Sequence, residues 1–500
     1  MSFKATRLSI LVLAATSLPA LAATTQADAD KVLDALKPYL GPAASQIKIQ
    51  PLDDGYKATV DFTALFAPVK AKGIDASVSP IEITAKPLGG NKWQLHQEGD
   101  LSIAGKFPTG SFNEKVIGMA NNATLDLDQG IITTVDATAK SAVVDEDFSD
   151  EKGKKINAHI EIDNISQKAV AKVNPAGGSD MTGTATIGQF TLVEHTDDGK
   201  QPVDINVKST GGQFDVAMTG FKGKPLLDLW KLGMADLGQK PISQNKAESN
   251  GSLKDAFLGQ NPSTEEQTAI KAGLNEALPL FQTIEEKGSF DKVEIATPLG
   301  PFGINKAGFL LKANGIVKDG SFEEGFSVEG LTIPPGLAPV WATGLVAQNS
   351  KIDFSLSGFD FATFAKGYLD AADFSKPEPV SKDVTDKLAL ALLPNGSATI
   401  TLGPSSVSNG TYNLGAEGSF AAGPAAAPTG KAKITLSGLD DIMKIINAAP
   451  PEAGLQQAGA VMIMAKGLGK VGAGGSTTWD IEATPDGQVL VNGTDVKKLK

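Results

Sequence analysis

Segments in which apolar and polar residues alternate run along most of this chain, and they constrain its fold more than any other feature. Between Ile156 and Asp163, isoleucine or alanine fills every even position and a polar or charged residue fills every odd one. Successive side chains of a strand point to opposite faces, so this alternation predicts antiparallel strands with one wet face. Roughly twenty such segments, separated by Asn-Gly, Asp-Gly and Gly-Gly turns, predict an α+β fold that is predominantly β, a long antiparallel meander.

One unit recurs within this pattern: a strand, a hydroxyl residue, a glycine, an apolar residue and then an amphipathic helix. Its three copies contain Thr219-Gly220-Phe221, Ser357-Gly358-Phe359 and Ser437-Gly438-Leu439. The glycine lets the chain leave the sheet at a sharp angle, and the helix then covers part of the apolar face. We interpret the segment around Gly105 as a fourth, degenerate copy. In the third copy, Asp440 is placed to cap the helix.

Two further helices are predicted outside the repeats. Near the N-terminus, Val32, Leu33, Leu36 and Leu40 share one helical face. Ser263 and Glu266 form a capping box in front of a second apolar stripe. That stripe comprises Ile270, Leu274, Ala277, Leu278, Phe281 and Ile284.

The first residues have the three parts of a secretory signal peptide. Lys4 and Arg7 precede a short apolar run, which ends in an Ala-Leu-Ala site at Ala22. We therefore predict that residues 1–22 are a signal peptide, cleaved after Ala22, and that the mature chain is periplasmic. No later segment offers about 18 uninterrupted apolar residues, so no transmembrane span is predicted.

A polar stretch from Gly238 to Gly251 separates two halves of the mature chain. The sequence predicts an N-terminal β-rich lobe over residues 23–245 and a C-terminal α+β lobe over residues 246–500. The sequence leaves open whether the two lobes share one sheet. It also leaves open whether two sheets pack face to face or one curved sheet leaves an apolar groove.

Composition removes several classes of function. The net charge is −12, and Arg7, the one arginine, lies in the predicted signal peptide. An acidic, arginine-free surface repels polyphosphates, which excludes nucleic acid as a partner and disfavours anionic membranes. The chain has no cysteine, which excludes disulfides, thiolate nucleophiles and cysteine-ligated metals.

Motifs that carry chemistry are scarce. His96, His159 and His195 never fall within one helical turn of each other, and each is interpreted as an exposed strand histidine. The segment Gly467–Gly472 has the residue pattern of a dinucleotide-binding fingerprint. That fingerprint needs a strand before it and a helix after it, whereas here a helix precedes and a strand follows, so we predict no cofactor. The acidic run Asp145–Glu151 is either a solvated loop or a weak cation site. We predict no catalytic, cofactor-binding or metal-binding residue, and no enzyme activity.

The signal peptide, the strand–Ser-Gly-Phe–helix unit and the closing segments Trp479–Gly487 and Val491–Gly493 resemble an exported Gram-negative family. This family is called domain of unknown function 2125, and the resemblance extends over most of the mature chain. The family has no assigned activity, so the resemblance implies no site residues. A weaker likeness is to AsmA-like envelope proteins, whose long curved sheets are associated with lipid handling.

These features together predict a periplasmic, non-catalytic protein that binds or scaffolds a hydrophobic ligand or envelope component through an apolar sheet face. The expected partner is a lipid, another amphiphile or an envelope protein. Lysines on the rims of an apolar groove are expected to contact headgroups. Two alternatives remain: a purely structural envelope interaction protein, and a hydrolase that uses paired carboxylates.

Overall fold

The computed structural model describes residues 25–62, 75–149, 153–175, 177–197, 202–239, 263–376, 378–424 and 426–496. Within these ranges the chain forms seven α-helices, in addition to short 3-10 turns. The helices are α1 (Gln26–Leu40), α2 (Gly223–Gln239), α3 (Thr264–Ala277), α4 (Phe361–Ala371), α5 (Lys382–Ala391), α6 (Leu439–Asn447) and α7 (Gln456–Leu468).

The same ranges contain 23 strands, and every pairing between them is antiparallel. The first twelve are β1 (Ile47–Leu52), β2 (Gly55–Val60), β3 (Asp75–Val78), β4 (Ile81–Gly89), β5 (Lys92–Phe107), β6 (Gly110–Asp126), β7 (Ile131–Ser149), β8 (Lys155–Val173), β9 (Ser179–Ile187), β10 (Phe190–Asp197), β11 (Val203–Ser209) and β12 (Gly211–Phe221). The others are β13 (Thr283–Thr297), β14 (Gly300–Asn314), β15 (Gly320–Glu329), β16 (Asn349–Phe359), β17 (Ala398–Ser408), β18 (Asn413–Gly423), β19 (Ala426–Ser437), β20 (Lys470–Val471), β21 (Thr477–Ala483), β22 (Val489–Val491) and β23 (Thr494–Asp495).

All of these strands belong to one continuous sheet. Each strand pairs with the next along the chain from β4 to β9, and again from β12 to β19. Strands β9 and β10 share one edge of β8, and β11 and β12 share one edge of β13. The fold is therefore α+β and predominantly β, an antiparallel meander as the alternation predicts.

The sheet continues across the two halves of the sequence, because β12 pairs with β13 from Gly211 opposite Asp291 to Thr219 opposite Thr283. Strands of both halves thus belong to the same sheet, and the described residues form no second sheet to pack against it. The lobe boundary near Lys246 lies outside the described residues, as does the signal peptide at residues 1–22. The division into two lobes and the export signal therefore stay predictions.

The three copies of the repeated unit are confirmed. Gly220, Gly358 and Gly438 adopt positive φ values of 64°, 93° and 80°, and an α-helix begins within three residues of each. A positive φ is easily reached only by glycine, so this residue ends the strand and redirects the chain. Helices α2 and α4 leave one end of the sheet, whereas α6 leaves the opposite end, where β19 ends.

Two details of the repeat are wrong. Gly105 lies inside β5, which continues to Phe107 and turns back into β6, so no helix follows a fourth copy. A Cβ at Gly105 would lie 2.3 Å from the ring of Phe112, so this glycine provides space for the ring rather than a turn. Asp440 does not cap α6. The N-cap is Gly438, and Asp440 instead contacts Lys466 of α7.

The capping box that opens α3 is confirmed. The backbone amide of Glu266 donates to the Ser263 hydroxyl at 3.2 Å, and the Ser263 amide donates to the Glu266 carboxylate at 2.6 Å. The helix ends at Ala277, shortly before Pro279, which cannot continue it. The predicted stripe is therefore too long, because Phe281 lies after the helix and Ile284 belongs to β13.

Buried side chains concentrate at two places. In the first, α1 packs on β1, β2 and the start of β5, and its residues Val32, Leu36 and Leu40 are buried as the sequence predicts. The second is a small helical cluster around Ile270 of α3 and Leu369 of α4. Between these places the long strands are only half-buried, and β14, β16 and β18 contain no fully buried residue. The middle of the sheet therefore keeps its faces accessible to solvent.

Replacing the glycines of the repeated unit by alanine should lower the stability of the protein by different amounts. At Gly438 a Cβ would lie 2.1 Å from the Thr411 carbonyl oxygen, whereas at Gly358 the nearest atom is 3.6 Å away. Gly358→Ala should cost about 1–2 kcal/mol for the unfavourable φ alone. Gly438→Ala should lower the free energy of unfolding by about 3 kcal/mol or more, because steric overlap of the new Cβ adds to the backbone strain. Urea unfolding measures both, with Gly410→Ala as the control that changes stability little, since Gly410 has neither constraint.

Candidate functional site

The strand register divides the sheet into an apolar face and a polar face. In the C-terminal half, cross-strand neighbours on one face are apolar from β14 to β21. This part of the apolar face carries Phe309, Phe326, Ile352, Phe354, Leu356, Ile400, Leu402, Phe420, Ile434 and Ile481. Because directly opposed side chains lie about 5 Å apart, these residues form one continuous surface.

The N-terminal half has an equivalent surface on β5, β6, β7, β8, β10 and β11. Its apolar residues are Leu101, Ile103, Phe112, Val116, Val144, Ile160, Ile162, Phe190, Leu192 and Val207. In β6 and β8 the apolar positions change from even to odd numbers around Gly118 and Asn164, which have φ values of 62° and 52°. Irregularities at these residues keep the apolar side chains on one face of each long strand.

Four phenylalanines connect the two parts of the apolar face. Ring centroids lie 6.3 Å apart for Phe190 and Phe290, 5.4 Å for Phe214 and Phe290, and 6.4 Å for Phe214 and Phe309. These residues lie on β10, β13, β12 and β14, where the two halves of the sheet meet. The apolar face is thus continuous from β5 to β21.

Part of the apolar face is open to solvent, and most of its other residues are half-buried. Phe326, Ile352 and Ile400 on the adjacent strands β15, β16 and β17 are 57%, 48% and 39% exposed. At the margin, α7 covers the face, and the Trp479 indole donates a hydrogen bond to the Ala465 carbonyl oxygen at 2.7 Å. Helices α1 to α5 contact one another in the series α1–α2–α3–α4–α5, and α1 also packs on β1. An exposed apolar patch of this kind marks an interaction surface.

Within the described strands, glutamate is the one charged residue type that strand pairing places on the apolar face. Glu114, Glu146 and Glu194 interrupt the N-terminal part, and Glu286 and Glu324 the C-terminal part. The lysines at paired positions lie on the opposite face. They include Lys106, Lys115, Lys168, Lys208, Lys287, Lys312, Lys351, Lys431 and Lys433. Alternation therefore places these lysines behind the apolar face, and the expectation that lysines on the rims of an apolar groove contact headgroups stays a prediction.

Glu114 shows what this placement does to a carboxyl group. It lies directly between Ile103 of β5 and Val144 of β7. Burial among these neighbours raises the pKa of the Glu114 carboxyl above its ordinary value. In the part of the chain that the structure describes, no ion pair or side-chain hydrogen bond reaches Glu114 or Glu146. These carboxyl groups have no cationic partner within the described protein.

Some acidic groups on the polar face, in contrast to Glu114, form ion pairs with lysines. Glu285 contacts Lys287 at 2.5 Å and Lys312 at 3.6 Å, and the hydrogen bond from Lys287 lowers the pKa of the Glu285 carboxyl. Lys431 contacts Glu482 at 3.3 Å on the same face. These pairs are solvent-exposed, so each adds little stability, but they neutralise the polar face locally.

A hollow of about 720 Å³ on the polar face contains two of the three histidines. His159 Nδ1 lies 2.7 Å from Asp145, and His195 Nδ1 lies 2.6 Å from Asp204. The pairing of β8 with β10 brings these two histidines together, and no local sequence pattern predicts that pairing. All three histidine side chains are at least 37% exposed, as expected for strand histidines.

His195 does not contact the acidic residue beside it in sequence, whereas His96 contacts the nearby Glu98. His195 contacts Asp204, whereas Glu194 points to the apolar face because neighbouring residues of a strand alternate. His96 contacts Glu98 at 3.1 Å and Asn122 at 2.8 Å, on strands β5 and β6. Neither arrangement contains a nucleophile at hydrogen-bond distance.

The acidic run Asp145–Glu151 lies partly in β7 rather than in a loop. Asp145 and Asp147 lie on the polar face, and Glu146 lies on the apolar face, so alternation separates them. Asp150 and Glu151 lie outside the described residues. Among the residues that are described, no group of three or more metal-ligating side chains is close enough to hold an ion. The glycine-rich segment Gly467–Gly472 begins with the last two residues of helix α7 and includes strand β20, so a helix precedes it and a strand follows.

Comparison with protein-family models, with curated proteins and with solved structures found no match. The resemblance to domain of unknown function 2125 and to AsmA-like proteins therefore stays a prediction. No helix among the described residues is both long and apolar enough to cross a membrane.

The position of Glu114 predicts a pH-dependent effect on stability. The pKa of the Glu114 carboxyl is raised in the folded state. Below the ordinary glutamate pKa of about 4.3 the carboxyl is protonated in the folded and the unfolded protein, so folding then places no charge on the apolar face. As the pH rises through the folded-state pKa, a charge forms on the apolar face and stability is lost. Glu114→Gln should therefore raise the melting temperature at pH 7, by on the order of 1 °C, and have no effect at pH 4.

Melting curves of both proteins between pH 4 and pH 8 test this expectation. Glu161→Gln is the matched control, because Glu161 is an exposed glutamate on the polar face of β8. A gain that is equal at all pH values, or that also occurs in the control, contradicts the assigned cause.

Proposed function

We propose that this protein is a non-catalytic binding protein for an amphiphile, which it holds by its alkyl chain on the apolar face of the sheet. One observation carries the proposal. Phe326, Ile352 and Ile400 lie on successive strands and stay substantially exposed, although the described part of the chain forms seven helices. Leaving such side chains in water costs about 25 cal/mol for each Å² of apolar surface, and an alkyl chain would recover that energy.

The shape of the face suits a long, flexible chain better than a compact ligand. The surface follows the continuous sheet through cross-strand neighbours, from Leu101 on β5 to Ile481 on β21. Its residues are aliphatic or phenylalanine, with few polar groups that would impose a fixed orientation. Contacts of this kind are non-directional, so they select for apolar length rather than for an exact structure.

The predicted signal peptide at residues 1–22 supports a periplasmic site of action. In that compartment, amphiphiles from the cell envelope have to cross an aqueous space, where exposed alkyl chains are unfavourable. A sheet with one apolar face can shield such a chain, and its charged opposite face keeps the complex soluble.

Two other functions have less support. A structural envelope protein would bury the apolar face against a partner protein, and the surface is compatible with that role. A hydrolase needs two carboxylates in a cleft, one of them with a raised pKa. Glu114 has a raised pKa, but burial alone causes it. Three hollows of the described residues lie on the polar face and a small one lies under α1, and Glu114 lines none of these four.

The first test is to purify the mature protein from periplasm without detergent and record native mass spectra before and after solvent extraction. We expect a bound species of discrete mass that extraction removes. A protein of the bare chain mass, which also fails to bind a neutral dodecyl maltoside added below its micellar concentration, would exclude amphiphile binding. Capture of a partner protein would then be the next experiment.

Substitutions on the open part of the face give the second test. The double variant Phe326→Ser/Ile352→Ser should weaken binding of dodecyl maltoside about tenfold or more, since two apolar contacts are lost. Its stability in urea should change little, because both side chains are already substantially exposed in the free protein.

Ser327→Ala/Ser355→Ala is the matched control, on the polar face of the same two strands. Calorimetric titration measures the affinities. Equal binding by the parent and both variants would place the ligand elsewhere on the protein.

A further inference from the structure

We propose that one end of the sheet rests on the surface of a neutral phospholipid bilayer and inserts aliphatic side chains between the headgroups. This surface, named the apolar end, comprises the β13–β14 turn, the chain between β15 and β16, helices α6 and α7, and strand β20. It lies where strands end and turn, and not on the apolar face that is proposed to hold an amphiphile. Bilayer contact through the apolar end is therefore independent of the proposed function.

Strand register brings these elements to one end of the C-terminal half. Asn349 at the start of β16 is paired with Ser408 at the end of β17, and Asn413 at the start of β18 with Ser437 at the end of β19. Because neighbouring strands of the meander alternate in direction, β13, β15, β17 and β19 all end there. Strand β20 joins them, since its Val471 is paired with the first residue of β21.

The apolar end carries the most exposed large apolar side chains of the described residues. Val340 is 90% exposed, Val471 76%, Leu299 70% and Ile463 62%. Among the five highest values in the described part of the chain, only that of Leu390 belongs to another place, helix α5. Further exposed apolar side chains at the apolar end are Leu337, Val461 and Met464. Apolar exposure concentrated in this way marks an interface with a protein or a membrane.

The sequence of the apolar end is almost uncharged. Five segments that contribute to it contain no lysine, arginine, aspartate or glutamate: 296–305, 330–350, 405–416, 453–465 and 471–479. The opposite end of the same strands differs, because its helices α4 and α5 contain Lys366, Asp370, Lys382, Asp383, Asp386 and Lys387. Apolar exposure and lack of charge thus coincide at one end of the sheet.

The charged side chains of α6, α7 and β20 neutralise one another or the adjacent strand. Lys444 contacts Asp441, Lys466 contacts Asp440, and Lys470 contacts Asp480 of β21. Burial against lipid therefore brings no unpaired charge of these three elements into a medium of low dielectric constant, which would be costly.

Hydrogen bonds fix the backbone that presents the apolar residues. Gly303 of β14 and Thr332 of the following loop exchange two backbone hydrogen bonds, of 3.1 Å and 2.7 Å. Asn409 donates to the carbonyl oxygens of Gly344 and Val346 at 2.9 Å and 2.8 Å. At the end of α7, Asn492 donates to the Leu468 carbonyl oxygen at 2.7 Å. Because the surface is already ordered, little conformational entropy is lost when it binds.

A bilayer suits this surface better than a partner protein does. The cores of protein interfaces are enriched in aromatic residues and arginine, and they form about one hydrogen bond for each 100–200 Å². Leu299, Val340 and Ile463 are aliphatic and lie on three separate elements: a turn, a loop and a helix. Insertion into a bilayer needs apolar area and no shape complementarity. The net charge of −12 disfavours an anionic surface, which makes a zwitterionic bilayer the expected one.

Flotation with phosphatidylcholine vesicles measures this binding. The mature protein, purified without detergent, is mixed with increasing amounts of lipid, and the fraction that floats with the vesicles in a density gradient is recorded. We expect binding that changes little when salt is added, because salt screens charges and not apolar contacts. Including the anionic lipid phosphatidylglycerol should not increase it.

The triple variant Leu299→Ser/Val340→Ser/Ile463→Ser tests the residues. It should bind vesicles about tenfold more weakly or less still, because three aliphatic side chains no longer enter the bilayer. Its stability in urea and its affinity for dodecyl maltoside should equal those of the parent, since these side chains are exposed and lie outside the apolar face.

The matched control is Leu88→Ser/Val173→Ser/Leu390→Ser. These three side chains are also more than half exposed, but they lie on β4, β8 and α5, outside the apolar end. The control variant should bind vesicles as the parent does.

The outcomes are distinct. Weaker vesicle binding in the triple variant alone, with unchanged affinity for maltoside, supports the apolar end as the membrane contact. Equal binding by parent and triple variant, an equal loss in the control, a parallel loss of maltoside affinity, or binding that requires phosphatidylglycerol would overturn it. Absence of vesicle binding by the parent would also overturn it and favour a partner protein. A parent that binds vesicles but no maltoside would overturn the proposed function alone.

Discussion

Antiparallel hydrogen bonding between neighbouring strands fixes everything else in this molecule. Within the described residues, a single sheet of 23 strands places each paired residue opposite a defined partner, and alternation then decides which face the side chain occupies. The long strands β7 and β8 contain 19 residues each, which corresponds to about 65 Å of extended chain. The helices are too few and too short to cover a sheet of this size. An open apolar face is thus a direct result of the architecture.

The same alternation separates the charges. Lysines and most acidic residues lie on one face, where Glu285 with Lys287 and Lys431 with Glu482 form exposed pairs. The opposite face is apolar, and at the paired positions of the described strands its few charged residues are all glutamates. Because the sheet itself stands between the two faces, lysine ammonium groups do not neutralise the glutamates of the apolar face. The electrostatic character of the binding surface is therefore set by register and not by the net charge of the protein.

Local patterns in the sequence predict much of this fold. Alternation around Ile160 predicts a strand, and the glycines Gly220, Gly358 and Gly438 predict three strand–helix junctions, since each effect acts within a few residues. Gly105 is misinterpreted because a glycine that provides space and a glycine that turns the chain look the same in sequence. The candidate site could not be predicted. The positions of Glu114 and Glu146 depend on strand pairing and on irregularities at Gly118 and Asn164, and neither is visible in local periodicity.

The meander from β12 to β19 has one further consequence. Each strand there contacts its predecessor and its successor, so this region is built like a one-dimensional array in which every hairpin repeats the same relation to its neighbours. A hairpin could be gained or lost within such an array without rearranging the connections on either side. The width of the apolar surface is then a variable that evolution, or a protein engineer, can adjust in steps of two strands.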